Sequence, residues 1–169
     1  MNKNWKLFEK VISVFQIIFG IAIISLVLWS VNTTITIIFE HSDYTWRDVS
    51  FYKLVKNNHF YILSSLLCIS SGILLLKNKK IGWVLSVTTW LVYGLGTLLN
   101  TLKKNDKNES VIQSNSDSII VGIFVVSFLT IAMCLTFKPF RTKYEPNLYS
   151  WLIIGLITLI FIAEKLLIN

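Results

Sequence analysis

The residues with the greatest capacity for chemistry are two histidines that lie near acidic side chains. His41 and Asp43 are two residues apart, and His59 follows at the end of the same polar stretch. Imidazole nitrogens and carboxylate oxygens bind Zn²⁺ and related divalent ions when they converge. The spacing matches no established metal signature, so these three residues are weak metal candidates and no cofactor is predicted. If these residues bind a metal, the corresponding functional hypothesis is an enzyme with a His/Asp metal site.

A more regular group of polar and small residues lies between residues 81 and 101. They recur at steps of three and four, which places them within about 100° of one helix circumference. The stripe consists of Gly82, Ser86, Thr89, Tyr93, Gly96, Thr97 and Asn100. Its hydrogen-bonding members, together with Gln16 on an earlier run, could line a cavity or a pore for a small solute.

The same stripe has a structural interpretation, because small residues let membrane helices approach closely and exchange hydrogen bonds. The preceding run carries a matching set of Ser64, Cys68 and Gly72, which predicts packing against Gly82 and Gly96. A tight lysine-rich turn joins the two runs. We therefore expect these helices to form an antiparallel hairpin with their small residues facing each other.

The elements that carry these residues are defined by where charge is missing. Only 15% of the chain is charged, against roughly 25% in a typical soluble domain. Five stretches contain no Asp, Glu, Lys or Arg, and they are residues 11–39, 57–76, 81–102, 118–137 and 146–163. A helix of about 20 apolar residues crosses the hydrocarbon core of a bilayer. Backbone groups in lipid must also bond within their own segment, which favours helices.

The sequence thus predicts an all-α integral membrane protein, a bundle of about five transmembrane helices in a single domain, residues 1–169. The predicted spans are about 11–33, 59–76, 81–101, 118–137 and 149–168. An outer segment, 40–58, is expected to contain a short interfacial helix, with Thr45 to Asp48 resembling a capping box. The polar stretch 103–117 is expected to be a flexible outer loop.

Orientation follows from the lysines and arginines of the connections. Nine lie in the N-terminal segment, the turn at 77–80 and the connection around 138–143, against seven on the other side. Basic residues favour the cytoplasmic side. We predict a multi-pass protein of the plasma (inner) membrane with a cytoplasmic N-terminus and an external C-terminus. Anionic lipids of the inner face are the expected contacts of its basic residues. No nucleic-acid partner is expected, because no basic groove with aromatic residues is present.

The functional expectation follows from how few ionisable residues fall inside the spans. Only Glu164 and Lys165 do so, near the chain end, where we expect their side chains to reach the outer interface. Our leading hypothesis is a non-enzymatic membrane component with an accessory, immunity or sensory role. The alternatives are an oligomeric channel or small-solute carrier lined by the stripe, and a membrane enzyme with the His/Asp site at its outer face. A second copy of the chain or a membrane partner protein is a further expected contact.

Overall fold

The computed structural model describes residues 2–41, 50–106 and 115–168 of the chain. Within these ranges, all regular secondary structure is helical. The helices are α1 (Lys3–His41), α2 (Phe51–Leu76), α3 (Lys80–Asp106), α4 (Asn115–Leu135), α5 (Lys138–Tyr144) and α6 (Leu148–Ile168). The predicted all-helical bundle is confirmed at this level.

Several of these helices are long and apolar enough to cross a membrane. Among the described residues α1, α2, α3 and α6 meet this criterion, and the pair α4 and α5 raises the number to five if it is one broken span. The axes of α4 and α5 differ by 52°. This bend lies at the break before Lys138 and Pro139, where proline suits the first turn of a new helix but not the interior of an old one.

Helix α3 is the centre of the bundle. It packs against α2, α4 and α6, and two-thirds of its apolar window is buried, compared with about a quarter for α1 and α6. Trp83 and Trp90 of α3 are fully buried. By contrast, the outward faces of α1, α4 and α6 expose large apolar side chains such as Ile18, Val126 and Leu159. Such extensive apolar exposure is typical of a surface that contacts lipid or another protein.

Several boundaries differ from the sequence predictions. Helix α1 is longer than the predicted span 11–33 at both ends and reaches His41, inside the predicted outer segment. Residues 51–58 are the first turns of α2 and not a separate interfacial helix, because the helical backbone runs unbroken into the apolar segment. The proposed cap at Thr45 to Asp48 lies outside the described residues. The predicted loop 103–117 is partly helical, since α3 extends to Asp106 and α4 begins at Asn115; residues 107–114 lie outside the description. The short helix α5 was not predicted.

Cys68 and Gly72 of α2 have a different partner from the expected one, whereas the neighbouring Ser71 does meet α3 and accepts a hydrogen bond from Thr89 at 3.4 Å. Gly72 lies against α1, where a Cβ atom would come within 2.7 Å of the Ser13 carbonyl oxygen and 2.8 Å of Ile17. Cys68 donates its S–H to the Gln16 carbonyl of α1 at 3.2 Å. The close seam of Cys68 and Gly72 is therefore with α1, and not with α3 as the hairpin suggested. Gly82 does approach α2, against the backbone of Leu74 and Leu75.

Candidate functional site

Polar side chains from three distant parts of the chain meet at one end of the bundle, which we call the α5 end. Lys143 of α5 donates to the Glu9 carboxylate of α1 at 2.6 Å, and it also donates to the Asn78 side chain in the α2–α3 turn. The Tyr144 hydroxyl donates to the second Glu9 oxygen. These four residues, the Glu9 clamp, tie the start of α1, the α2–α3 turn and α5 together.

Burial makes the clamp a strong electrostatic element. Glu9 is only 4% exposed, so its carboxylate depends on Lys143 and Tyr144 for the interactions that water would otherwise provide. Burial raises the pKa of the Tyr144 hydroxyl, and the bond to Glu9 and the negative charge of that carboxylate raise it further. Tyr144 also stacks on Trp83, with 6.2 Å between ring centroids. The clamp is thus continuous with the apolar core.

A cavity of about 340 Å³ opens beside the clamp. It is lined by Lys6, Glu9, Lys10, Ser13, Leu75, Leu76, Asn78 and Lys143. The first four residues of this set are spaced three, one and three apart, which places them on one face of α1. The sequence spacing alone predicts that these four residues share a face of α1. It does not predict what that face contacts, because the partners on α2 and α5 lie far along the chain.

The polar stripe of α3 is central, but its members have different surroundings. Ser86 donates to the Gln16 side-chain oxygen at 2.9 Å, which links α3 to α1 in the buried core. Thr89 and Thr97 donate to carbonyl oxygens one turn earlier on their own helix. Asn100 is exposed near the end of α3. The structure therefore brings Gln16 and Ser86 together, and it leaves Asn100 apart from them.

Tyr93 and the remaining packing residues complete the stripe. Tyr93 is buried, with its ring against Phe19 and Phe128. Gly96 faces the other end of the bundle, where a Cβ atom would lie 3.3 Å from Phe60. Ser64 is buried on α2 and donates to a carbonyl of its own helix. These residues lie in the packed interior of the bundle.

The metal candidates do not form a cluster in the described part of the chain. No group of three or more His, Cys, Asp or Glu residues there could hold a metal ion. Asp43 lies outside the described residues, and of His41 only the backbone, at the end of α1, is described. His59 lies instead against Glu164 of α6, with 2.6 Å between its Nε2 atom and a carboxylate oxygen.

Lys165 has a different environment from the one expected. Its side chain was predicted to reach the interface, but the residue is only 5% exposed. The ammonium lies over the Phe60 ring, 4.4 Å from the centroid, in a geometry that allows a cation–π interaction. This contact and the His59–Glu164 pair join the end of α6 to the first turns of α2. The two contacts lie at the end of the bundle opposite α5.

The two buried tryptophans of α3 allow a direct test of one interhelical bond. Trp83 donates its indole N–H to the Leu135 carbonyl at 2.7 Å, whereas the indole N–H of Trp90 has no hydrogen-bond partner among the described residues. We expect Trp83→Phe to lower the free energy of unfolding more than Trp90→Phe does, by about 1–2 kcal/mol, because only the first leaves a buried carbonyl unpaired. Thermal unfolding of both variants in one detergent measures this difference. Equal losses would show that the bond to Leu135 adds nothing beyond ring packing.

The fold and the site define a class: an all-helical bundle with four to five apolar helices of membrane-spanning length, whose buried polar groups link its helices. Comparisons with protein-family models, curated proteins and solved structures found no match to this chain.

Proposed function

We propose that this chain is a multi-pass inner-membrane protein that acts without catalysis, as a small accessory, immunity or sensory component. The observation that carries the proposal is the use of its buried polar side chains as links between helices. The Glu9 clamp joins α1, the α2–α3 turn and α5; Gln16 and Ser86 join α1 and α3; and His59 and Glu164 join α2 and α6. Groups engaged in this way stabilise a bundle.

The proposed topology places the α5 end in the cytoplasm. The start of α1, the α2–α3 turn and α5 lie together at that end, which is the arrangement expected if α1, α2, α3 and α4 each cross the membrane once. The same end carries the basic connections, which the positive-inside rule assigns to the cytoplasm. The exposed apolar faces of α1, α4 and α6 then lie in the lipid, where exposure carries no hydrophobic penalty.

Thiol labelling in sealed vesicles tests both the membrane placement and the orientation. In a chain with Cys68 and Cys134 replaced by Ser, we expect Lys79→Cys to react with a charged maleimide only from the cytoplasmic side. We expect Lys56→Cys, at an exposed position in the first turns of α2, to react only from outside. Val126→Cys, at a position 65% exposed in the isolated bundle, should not react from either side, because lipid covers it and the thiolate does not form there. Rapid labelling of Val126→Cys would contradict the membrane placement, and labelling of the other two from one side would contradict the topology.

One observation favours the second candidate, a channel or small-solute carrier. The side-chain N–H groups of Gln16 and the indole N–H of Trp90 are buried without hydrogen-bond partners among the described residues. Unsatisfied buried donors are costly, so a solute with acceptor oxygens would be stabilised beside them. Vesicles containing the purified chain distinguish the two candidates. The accessory role predicts ion and solute leakage equal to that of protein-free vesicles, whereas a carrier predicts flux that Thr89→Leu abolishes.

A further inference from the structure

The cavity beside the Glu9 clamp has an excess of positive charge. Three lysines and one glutamate line it, which gives a net charge of +2. Glu9 is already engaged by Lys143 and Tyr144. Within the described ranges Lys6 and Lys10 take part in no ion pair, and both are exposed. Two ammonium groups are therefore available to an incoming anion.

The form of the cavity restricts which anion suits it. Its volume of about 340 Å³ is at the lower end of the range of small-ligand pockets. Its lining combines polar side chains, those of the lysines, Ser13 and Asn78, with the apolar side chains of Leu75 and Leu76. A ligand with a compact, doubly charged head and an apolar attachment suits this mixed lining and neutralises the net charge of +2. A phosphate monoester is the common group with that charge.

The position of the cavity along the bundle agrees with this chemistry. Lys10 directly precedes the charge-free run that begins at Val11, and Lys6 lies about one turn before Lys10. Leu75 and Leu76 end the apolar segment of α2. If α1 and α2 cross the bilayer, these residues are at the depth of the lipid phosphates. We propose that this cavity is a binding site for a phosphate monoester group, presented by an anionic lipid of the cytoplasmic leaflet or by free phosphate. Binding of a lipid, as opposed to free phosphate, rests on the proposed placement of the chain in the membrane.

Glu9 determines the selectivity of this site. With Glu9 ionised, the cavity lining has a net charge of +2. A phosphodiester carries one negative charge and neutralises only half of it, whereas a phosphate monoester carries close to two and neutralises nearly all of it. The Glu9 carboxylate also holds Lys143 at the cavity wall, so the third ammonium is fixed in place while those of Lys6 and Lys10 can adjust. The site therefore prefers monoester over diester lipids at equal lipid fraction.

Lipid retention in nanodiscs tests the proposal. The probes are phosphatidylcholine nanodiscs that contain phosphatidic acid, a monoester, or phosphatidylglycerol, a diester, at the same fraction, with bound lipid counted by native mass spectrometry. We expect the wild-type chain to retain phosphatidic acid in preference to phosphatidylglycerol. We expect Lys6→Gln/Lys10→Gln to reduce this retention about tenfold or more, because each lysine near a membrane surface contributes substantially to anion binding. The matched control is Lys77→Gln/Lys79→Gln, which removes two exposed lysines from the adjacent turn that do not line the cavity, and it should leave the preference for phosphatidic acid over phosphatidylglycerol unchanged.

A second arm uses inorganic phosphate alone, added to the chain in pure phosphatidylcholine nanodiscs. If phosphate raises the unfolding temperature of the wild type and of the control variant but not that of Lys6→Gln/Lys10→Gln, this result supports the site and identifies free phosphate as its ligand. Preferential retention of phosphatidic acid without this stabilisation supports the lipid source. Equal losses of retention in both double variants, or no preference for phosphate in either arm, would overturn the proposal. Thiol labelling reports the topology independently, so failure of the site and failure of the membrane placement are distinguishable.

Discussion

Gly82→Ala should destabilise the bundle, although it adds only one methyl group. A Cβ atom at position 82 would overlap the peptide between Leu74 and Leu75 on α2, at less than any ordinary contact distance. Backbone cannot move aside as a side-chain tip can, so α2 and α3 must separate at their shared turn. Overpacking of this kind costs about 1–3 kcal/mol. The expected result is a clear fall in the midpoint of thermal unfolding of the purified chain.

The matched controls are Gly122→Ala and Gly155→Ala. Both glycines are helical, and a Cβ atom at either one meets nothing within 4 Å. Alanine forms helices better than glycine by about 1 kcal/mol, so these variants should be as stable as the wild type or more stable. Gly72→Ala, which meets the Ser13 carbonyl of α1, should resemble Gly82→Ala. If all four variants behaved alike, helix propensity and not close packing would govern these positions.

Glu9→Ala should have the largest effect of any charge substitution in the described part of the chain. It leaves the Lys143 ammonium without its carboxylate and the buried Tyr144 hydroxyl without its acceptor. Breaking a buried pair on one side costs several kcal/mol. Because the Lys143 side chain is 25% exposed, water recovers part of that loss, and we expect about 2–3 kcal/mol. Chemical denaturation in detergent measures the change.

The control for this variant is Glu145→Gln, which removes an exposed carboxylate at the same end of the bundle. Exposed substitutions of this kind change the free energy of unfolding by less than about 0.5 kcal/mol. An equal loss in Glu145→Gln and Glu9→Ala would show that only the total charge at this end matters. Glu9→Gln, which retains an acceptor for Tyr144, should lie between the two.

The same clamp predicts a pH dependence at the alkaline end. The pKa of Tyr144 is raised in the folded chain, so the folded state holds this proton more tightly than the unfolded state does. Its contribution to stability is complete below the unfolded pKa of about 10 and decreases as pH rises above it. The stability of the wild type relative to Tyr144→Phe should therefore decrease above about pH 10. A constant difference between the two chains across this range would contradict the clamp.

Much of the helical architecture was predictable because its cause is local. The charge-free runs coincide with long helices, which is the structure expected of a run that crosses lipid, because its backbone must then bond within its own segment. The short helix α5 was missed because it is only seven residues long and lies in a basic connection. The sequence feature that indicates the start of α5 is Pro139, because proline is frequent in the first turn of a helix.

The sequence by itself determined which residues share a helix face, because side-chain direction follows from the helical period. The tertiary structure alone decided which faces meet. Cys68 and Gly72 lie on one face of α2, yet their partner is α1 and not the neighbouring hairpin helix. The pairing of Glu9 with Lys143 likewise joins groups 134 residues apart. Periodicity carries no information about partners, which are selected by the packing of all helices at once.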